Sequence, residues 1–486
     1  MLVRLNRRRM FLVSVSVGKV ALALSFVFPA VIRWIPEAQF PYPIGFDTPM
    51  YLAMAKVYSR GGSFFPLLYR ILGWLYILGV DPIVAMKVLP TVLYGFLGLS
   101  AYCFARSCLG WDEKRSLIAS CWLAVSPVSL RVSWDLNKQV FATVLLFFAL
   151  SMVGRLRDVR GALVFVVLCI LVASSHQLVF ALMCGVLFFM LLSDVYRFLR
   201  GGKAVSRILL LFAALVVSVA VFLGLWYRWN LFAVYRGGVI SYDVGESYAG
   251  EAWRAGLEAY TRILILGYAL TLPLSVLGFF HQSVLTGWTI TASVGSFSIY
   301  VLPSFSFRFP DRWMYLLVYP MAFYATNALG RLKLVERLNF KRALALLVLA
   351  LVVNVQSLSL LGLYPRSVLP VKTPYFPERM TVSSIPVQDI EFTAQLLNDL
   401  SEQDEDAVLI VNINYLGWVR YYSDYRTVPW VPWSNPGTIG EALEVAKRVS
   451  SDGIYLLWYD DQDAISLGFR KIFERGSMKL YEYVGD

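Results

Sequence analysis

Residues 207–228 read RILLLFAALVVSVAVFLGLWYR, a run closed by an arginine at each end with no other charge between them. Roughly 20 apolar residues in a helix match the hydrocarbon thickness of a bilayer. Within that layer a helix satisfies every backbone N–H and C=O internally. Comparable runs recur near 10–32, 83–107, 116–132, 138–155, 160–175, 177–198, 260–280, 284–303, 312–330 and 342–363. The pattern predicts a polytopic α-helical membrane protein with about eleven transmembrane helices in residues 1–363. Composition agrees, because 58% hydrophobic residues, 16% charged residues and a mean hydropathy of +0.62 exceed what one water-soluble core of 486 residues can absorb.

Charge orients the spans. Residues 364–486 carry 11 Lys+Arg against 18 Asp+Glu, leaving 33 against 14 for residues 1–363, so the net +12 divides into +19 and −7. The basic residues stand in short clusters between apolar runs, as topology determinants do, and this placement argues against nucleic acid as a partner. Arg4, Arg7, Arg8 and Arg9 precede the first run. Alternate loops then carry Arg155, Arg157 and Arg160, next Arg197, Arg200, Lys203 and Arg207, and next Arg331, Lys333, Arg337, Lys341 and Arg342. With eleven spans all of these fall on one side, taken as cytoplasmic with the N-terminus. The loops 33–82, 131–137, 229–259 and 304–311, and the tail from 364, then face outward. The first 30 residues resemble a signal peptide but lack a small-residue cleavage site, so they read as an uncleaved first helix in a multi-pass cell-membrane protein. Cys103, Cys108, Cys121, Cys169 and Cys184 lie in or beside apolar runs without metal-ligand spacing and read as small buried hydrophobes.

Loop 33–82 contains an apolar stretch, 64–80, interrupted by Arg70, which reads as an interfacial helix lying on the membrane. The tail, residues 364–486, alternates strand and helix patterns: strands at 407–412 and 427–431, a helix at 439–449, a strand at 454–459, a helix near 463–473 and a strand at 478–483. This predicts a small extracytoplasmic α/β domain with an open sheet of flavodoxin-like character, and no Gly-rich phosphate loop follows any of its strands.

Four outward clusters carry candidate chemistry. In Pro43-Ile44-Gly45-Phe46-Asp47-Thr48-Pro49-Met50-Tyr51, a carboxylate among aromatics beside the membrane suits proton abstraction from an attacking hydroxyl. The same Asp47 also fits the N-cap of a helix beginning at Thr48-Pro49. In Arg131-Val132-Ser133-Trp134-Asp135-Leu136-Asn137-Lys138, Asp135 and Asn137 suit sugar hydroxyls or a divalent cation, though one carboxylate and one amide make a poor metal site alone; snorkelling anchors and caps explain the stretch as well. His176 stands at an outer span end as a phosphate donor or a satisfied structural residue. Arg308 and Arg312 flank Phe309-Pro310-Asp311 at a helix start, where guanidinium forks match phosphate oxygens, or where an Arg-Asp surface pair joins an aromatic belt.

Together these stretches resemble the GT-C superfamily of membrane glycosyltransferases, which includes dolichyl-phosphate-mannose protein mannosyltransferases, oligosaccharyltransferase catalytic subunits and lipid A arabinose transferases. The resemblance rests on Gly45-Phe46-Asp47 with Tyr51, on Ser126-Pro127 followed by Arg131 to Asn137, on His176, and on Arg308 to Trp313 leading into Pro320. It covers residues 10–363 and the tail in outline. It implies a GT-C-like fold and inverting transfer from a polyprenyl- or dolichyl-phosphate sugar to a protein, lipid or glycan acceptor at the extracytoplasmic face. Asp47 would be the catalytic base. Arg131, Asp135, Asn137, His176, Arg308 and Arg312 would contact the donor and its phosphate, and Asp47 and Asp135 would be the carboxylates open to a divalent cation such as Mg or Mn. Thr48 stands where mannosyltransferase-type members carry a second acid, and Gly417-Trp418-Val419-Arg420-Tyr421 lacks the oligosaccharyltransferase landmarks. The rival reading is a transporter or flippase of lipid-linked sugars, which would show internal repeats, broken helices and mid-membrane charges.

Overall fold

The computed structural model describes all residues except 1, 62–65, 157, 202–204, 230–250, 269–270, 302–309, 332–354, 365–376, 405, 432–436, 450–452 and 486. The chain divides into two compact units. One comprises Met1–Pro36, Val88–Gly224 and Tyr248–Met380; the other comprises Glu37–Lys87, Leu225–Ser247 and Thr381–Asp486.

The first unit is helical. Among the described residues, five helices are long and apolar enough to cross a bilayer: Gly18–Ala38, Pro82–Ser107, Asn137–Arg155, Gln177–Leu199 and Val205–Leu225. A sixth arises if Glu113–Val125 and Pro127–Asp135, bent by 63° at their junction, count as one span. The other expected spans are shorter or interrupted. Residues 160–175 form Val159–Ser175, residues 284–303 form Ser283–Val301, and 312–330 is divided between Pro310–Leu316 and Val318–Arg331. Residues 260–280 pass through a π-turn at Ile263–Gly267 before Thr271–Leu277, and most of 342–363 lies outside the described residues.

Burial in this unit is inverted relative to a soluble protein. Leu209 and Leu223 are 62% and 56% exposed, whereas Thr143, Ser151 and Thr326 are buried. Each of these buried hydroxyls donates to the carbonyl four residues back, at 2.8 Å, so none is left unpaired in the apolar interior. The exposed leucines are stable only against lipid, which makes the chain a membrane protein. Its centre is aromatic: Phe147 stacks on Trp288 at 5.1 Å and meets Tyr319 at 5.6 Å and Phe323 at 5.9 Å. Pro320 has no N–H for the carbonyl of Leu316, four residues earlier, and the indole N–H of Trp288 donates to that carbonyl instead, at 2.9 Å.

In the second unit, five strands make one sheet: β1 (Val408–Asn412), β2 (Arg426–Trp430), β3 (Ile454–Trp458), β4 (Phe469–Arg475) and β5 (Met478–Tyr483), in the order β2-β1-β3-β5-β4. β1 is parallel to both neighbours, with Ile410 beside Val428 and Leu456, while β5 is antiparallel to β3 and β4. The central strands are buried throughout, as a parallel sheet covered on both faces requires. Val408, Ile410, Val428, Leu456, Ala442 and Leu443 share one core, so helix Ile439–Val449 covers one face. That helix begins with a capping box: Thr438 Oγ1 accepts from the Glu441 N–H at 3.2 Å, and Glu441 Oε2 accepts from the Thr438 N–H at 3.3 Å.

The tail corrects one expectation. Residues 463–473 do not form a helix; a short helix, Asp461–Ile465, ends before Gly468, whose φ of +81° breaks the turn, and β4 follows. Two helices absent from the sequence reading, Val387–Ser401 and Ile413–Tyr422, complete the unit. Residues 64–80 contribute helix Leu67–Ile77, where Trp74 and Ile77 are exposed.

Trp288→Phe is expected to keep the ring packing and strip the Leu316 carbonyl of its donor, costing about 1–3 kcal/mol for an unsatisfied buried group. A lower melting temperature in detergent, with unchanged oligomer profile on gel filtration, is the expected observation.

Candidate functional site

The charged cluster of the first unit begins at a helix break. Ser126 has extended backbone, and Pro127 opens the next helix at its first turn, where a missing N–H costs nothing. Pro127–Asp135 then presents Arg131 and Asp135 one turn apart. The Arg131 guanidinium donates to the Asp135 carboxylate, both side chains are buried, and the guanidinium lies 5.2 Å from the Trp134 ring centre and 5.4 Å from that of Tyr315. A buried charge is tolerated only with a partner. Arg131 is also within electrostatic reach of Asp311, another buried carboxylate.

Leu136 turns the chain, and helix Asn137–Ser151 follows. Asn137 is 1% exposed, yet neither its carboxamide oxygen nor its nitrogen has a hydrogen-bond partner among the described residues; the same holds for Gln139. Such a group costs free energy unless something repays its lost hydration.

His176 separates Val159–Ser175 from Gln177–Leu199 with extended backbone, φ −159°. Its Nδ1 accepts the Val179 N–H at 3.4 Å, which puts the proton of the neutral ring on Nε2. The imidazole is within electrostatic reach of Lys138 and Arg312. Arg33, buried at the end of the first helix, donates from Nε to the Ser133 carbonyl at 3.1 Å. Its position just past an apolar run gave no sign of this role, since a terminal arginine ordinarily snorkels. Among the described residues the cluster thus brings together the cations Arg33, Arg131, Lys138 and Arg312 and the carboxylates Asp135 and Asp311. The paired charges are buried, whereas Lys138, His176 and Arg312 keep some surface exposed. Of the residues expected from sequence, Arg131, Asp135, His176 and Arg312 join one electrostatic network, and Asn137 adjoins it in sequence. Arg308 lies outside the described residues.

Asp47 belongs to the second unit. It holds the N-cap position of helix Thr48–Ser59, and its backbone carbonyl accepts from the N–H groups of Met50 and Tyr51 at 3.1 and 3.3 Å. Its carboxylate makes no cap bond. The N-cap aspartates Asp112, Asp158 and Asp460 each accept a backbone N–H through the side chain. Asp47 is half-buried, and its carboxylate is left uncommitted among the described residues. The turn before it needs Gly45, whose φ is +111° and whose N–H donates to the Val382 carbonyl at 3.0 Å.

Among the described residues no three His, Cys, Asp or Glu side chains gather as a metal site requires, and Asp135 is engaged by Arg131.

No family model and no curated protein matches the sequence. Among solved structures, the fold is similar to the cryo-EM structure of arabinofuranosyltransferase AftD from Mycobacteria, with a TM-score of 0.54 and 14% identity over 96% of this chain and 40% of that one. The chain therefore spans about two fifths of that protein's length. The two proteins share a fold over nearly the whole of this chain.

Replacing one member of the buried pair removes the other's hydrogen-bond partner, so Arg131→Met or Asp135→Leu alone is expected to cost about 1–3 kcal/mol. The double variant should melt above both singles, which a thermal double-mutant cycle in detergent measures directly.

Proposed function

We propose that the chain is a membrane glycosyltransferase that moves a sugar from a polyprenyl-phosphate donor to an acceptor hydroxyl at the extracytoplasmic face. The observation that carries this reading is the cluster that brings the charges of Arg131, Lys138 and Arg312 together with His176, in a fold similar to that of an arabinofuranosyltransferase. A cationic cluster at the edge of an apolar bundle suits a ligand with a phosphate head and a lipid tail.

In the proposed step, the acceptor oxygen attacks the anomeric carbon while its proton passes to the Asp47 carboxylate. The anomeric carbon–oxygen bond breaks, and the electron pair leaves with polyprenyl phosphate. Attack opposite the leaving group inverts the anomeric centre. Phosphate is a good leaving group and needs no strong acid, so stabilisation of its charge by Arg312, Lys138 and the Nε2–H of His176 supplies the remaining catalysis. Asn137 contributes a different chemistry: a carboxamide both donates and accepts, as a sugar hydroxyl does, and its lack of a protein partner fits a role in holding the sugar. The breaks at Ser126 and between Leu316 and Val318 are features a transporter of lipid-linked sugars would share, and chemical turnover separates the two readings.

Asp47→Asn removes the proton acceptor and keeps the shape, so transfer should fall by at least 10²-fold with no change in melting temperature. Near-normal transfer by that variant contradicts the assignment. Asn137→Leu should leave the melting temperature equal or higher, because it deletes an unsatisfied buried group, while the KM for the sugar donor rises.

A further inference from the structure

The helix that Asp47 begins is seated on the C-terminal domain through a contact with no space for a side chain. A Cβ on Gly417, in helix Ile413–Tyr422, would lie 2.6 Å from Pro49 Cβ and 2.7 Å from both the Met50 nitrogen and the Pro49 carbonyl carbon. Two of those three neighbours are backbone, which cannot swing aside. The Met50 N–H is also the donor to the Asp47 carbonyl, so a shift at residues 49–50 is passed to Asp47 within one turn.

The same segment is tied down on either side of this contact. Before it, Gly45 donates to the Val382 carbonyl, with an isolated strand bridge between Gly45 and Ser383. After it, Lys56 and Arg60 reach Asp424 at 3.0 and 2.8 Å. Beside it, the fully buried Trp418 meets the Tyr42 ring edge-on at 5.5 Å. Residues 42–60 are therefore placed by residues 382–424. The Asp47 carboxylate has no side-chain bond of its own to fix it among the described residues, so its location follows from its backbone alone.

We infer that Gly417 is a positioning residue, and that the C-terminal domain serves as the platform fixing where the Asp47 carboxylate meets the acceptor hydroxyl. The inference rests on the transferase reading. It assigns to the tail a part in the chemical step, separate from any part in acceptor recognition. Misplacing a reacting group by about 1 Å can cost on the order of 10²-fold in rate.

The experiment uses the full-length protein with Gly417→Ala, Gly417→Val and the double variant Gly417→Ala/Pro49→Gly. Transfer is measured with a farnesyl-phosphoryl sugar and donor-site integrity by thermal stabilisation with farnesyl phosphate. Asp47→Cys, alone and combined with Gly417→Ala, is labelled with a charged maleimide. Gly417→Ala should lower kcat at least 10-fold with donor KM and farnesyl phosphate stabilisation unchanged. Gly417→Val should lower it further, and removing the Pro49 Cβ should restore part of the loss. The labelling rate at position 47 should change several-fold when Gly417→Ala is added.

Wild-type kcat and labelling in the Gly417 variants overturn the inference, as does a kcat loss accompanied by loss of farnesyl phosphate stabilisation. Absence of transfer by the unmutated protein overturns the transferase reading instead, and the labelling comparison still reports on positioning.

Discussion

A guanidinium cannot remain unpaired inside an apolar helical bundle, and the pairing of Arg131 with Asp135 is the constraint around which the first unit's polar architecture forms. The pair requires one helical turn between its members, which fixes Pro127–Asp135 as helix, and the neighbouring charges of Asp311 and Arg312 join the same field. Arg33 completes the arrangement by donating to a carbonyl of that helix. Lys138, His176 and Arg312 stand half-buried beside these charges, and the imidazole lies within electrostatic reach of both cations.

In the proposed transfer step the second unit would meet a different demand. A general base must present an uncommitted carboxylate in a fixed place, yet the bonds that usually fix a carboxylate also consume it. Asp47 is held by its backbone, through Gly45, the first turn of Thr48–Ser59 and the contact with Gly417. Clamping charges sit further along the helix. The Arg60 guanidinium, with Lys56, holds the Asp424 carboxyl below the ordinary carboxylate range, so this clasp persists at neutral pH and weakens as acid protonates Asp424.

Hydropathy made the long helices legible, because a run such as 207–228 has no stable alternative to spanning lipid. It overestimated continuity, since Ser126-Pro127 and Val318-Tyr319-Pro320 lie within apolar runs and a helix break there changes no average. Strands β1, β2, β3 and β5 were readable from their β-branched and aromatic residues. β4 was not, because Phe469 to Arg475 mixes charges and apolar residues at a spacing that also suits a helix, and pairing with β5 decides between them. Asp47 was legible as a helix start beside aromatics, but its uncommitted carboxylate was not. Arg33 and Gly417 were invisible, since burial against Ser133 and against Pro49 depends on residues 100 and 368 positions away.

The central claim is that the cationic cluster and Asp47 serve sugar transfer from a phosphate-linked lipid. It is tested most directly by incubating the purified full-length protein with a panel of polyprenyl-phosphate sugars and quantifying released polyprenyl phosphate together with the glycosylated or hydrolysed product. The account predicts stoichiometric release of polyprenyl phosphate and sugar product from at least one donor. A folded preparation that moves intact sugar-lipid across a liposome bilayer, and cleaves no donor in the panel, would contradict it.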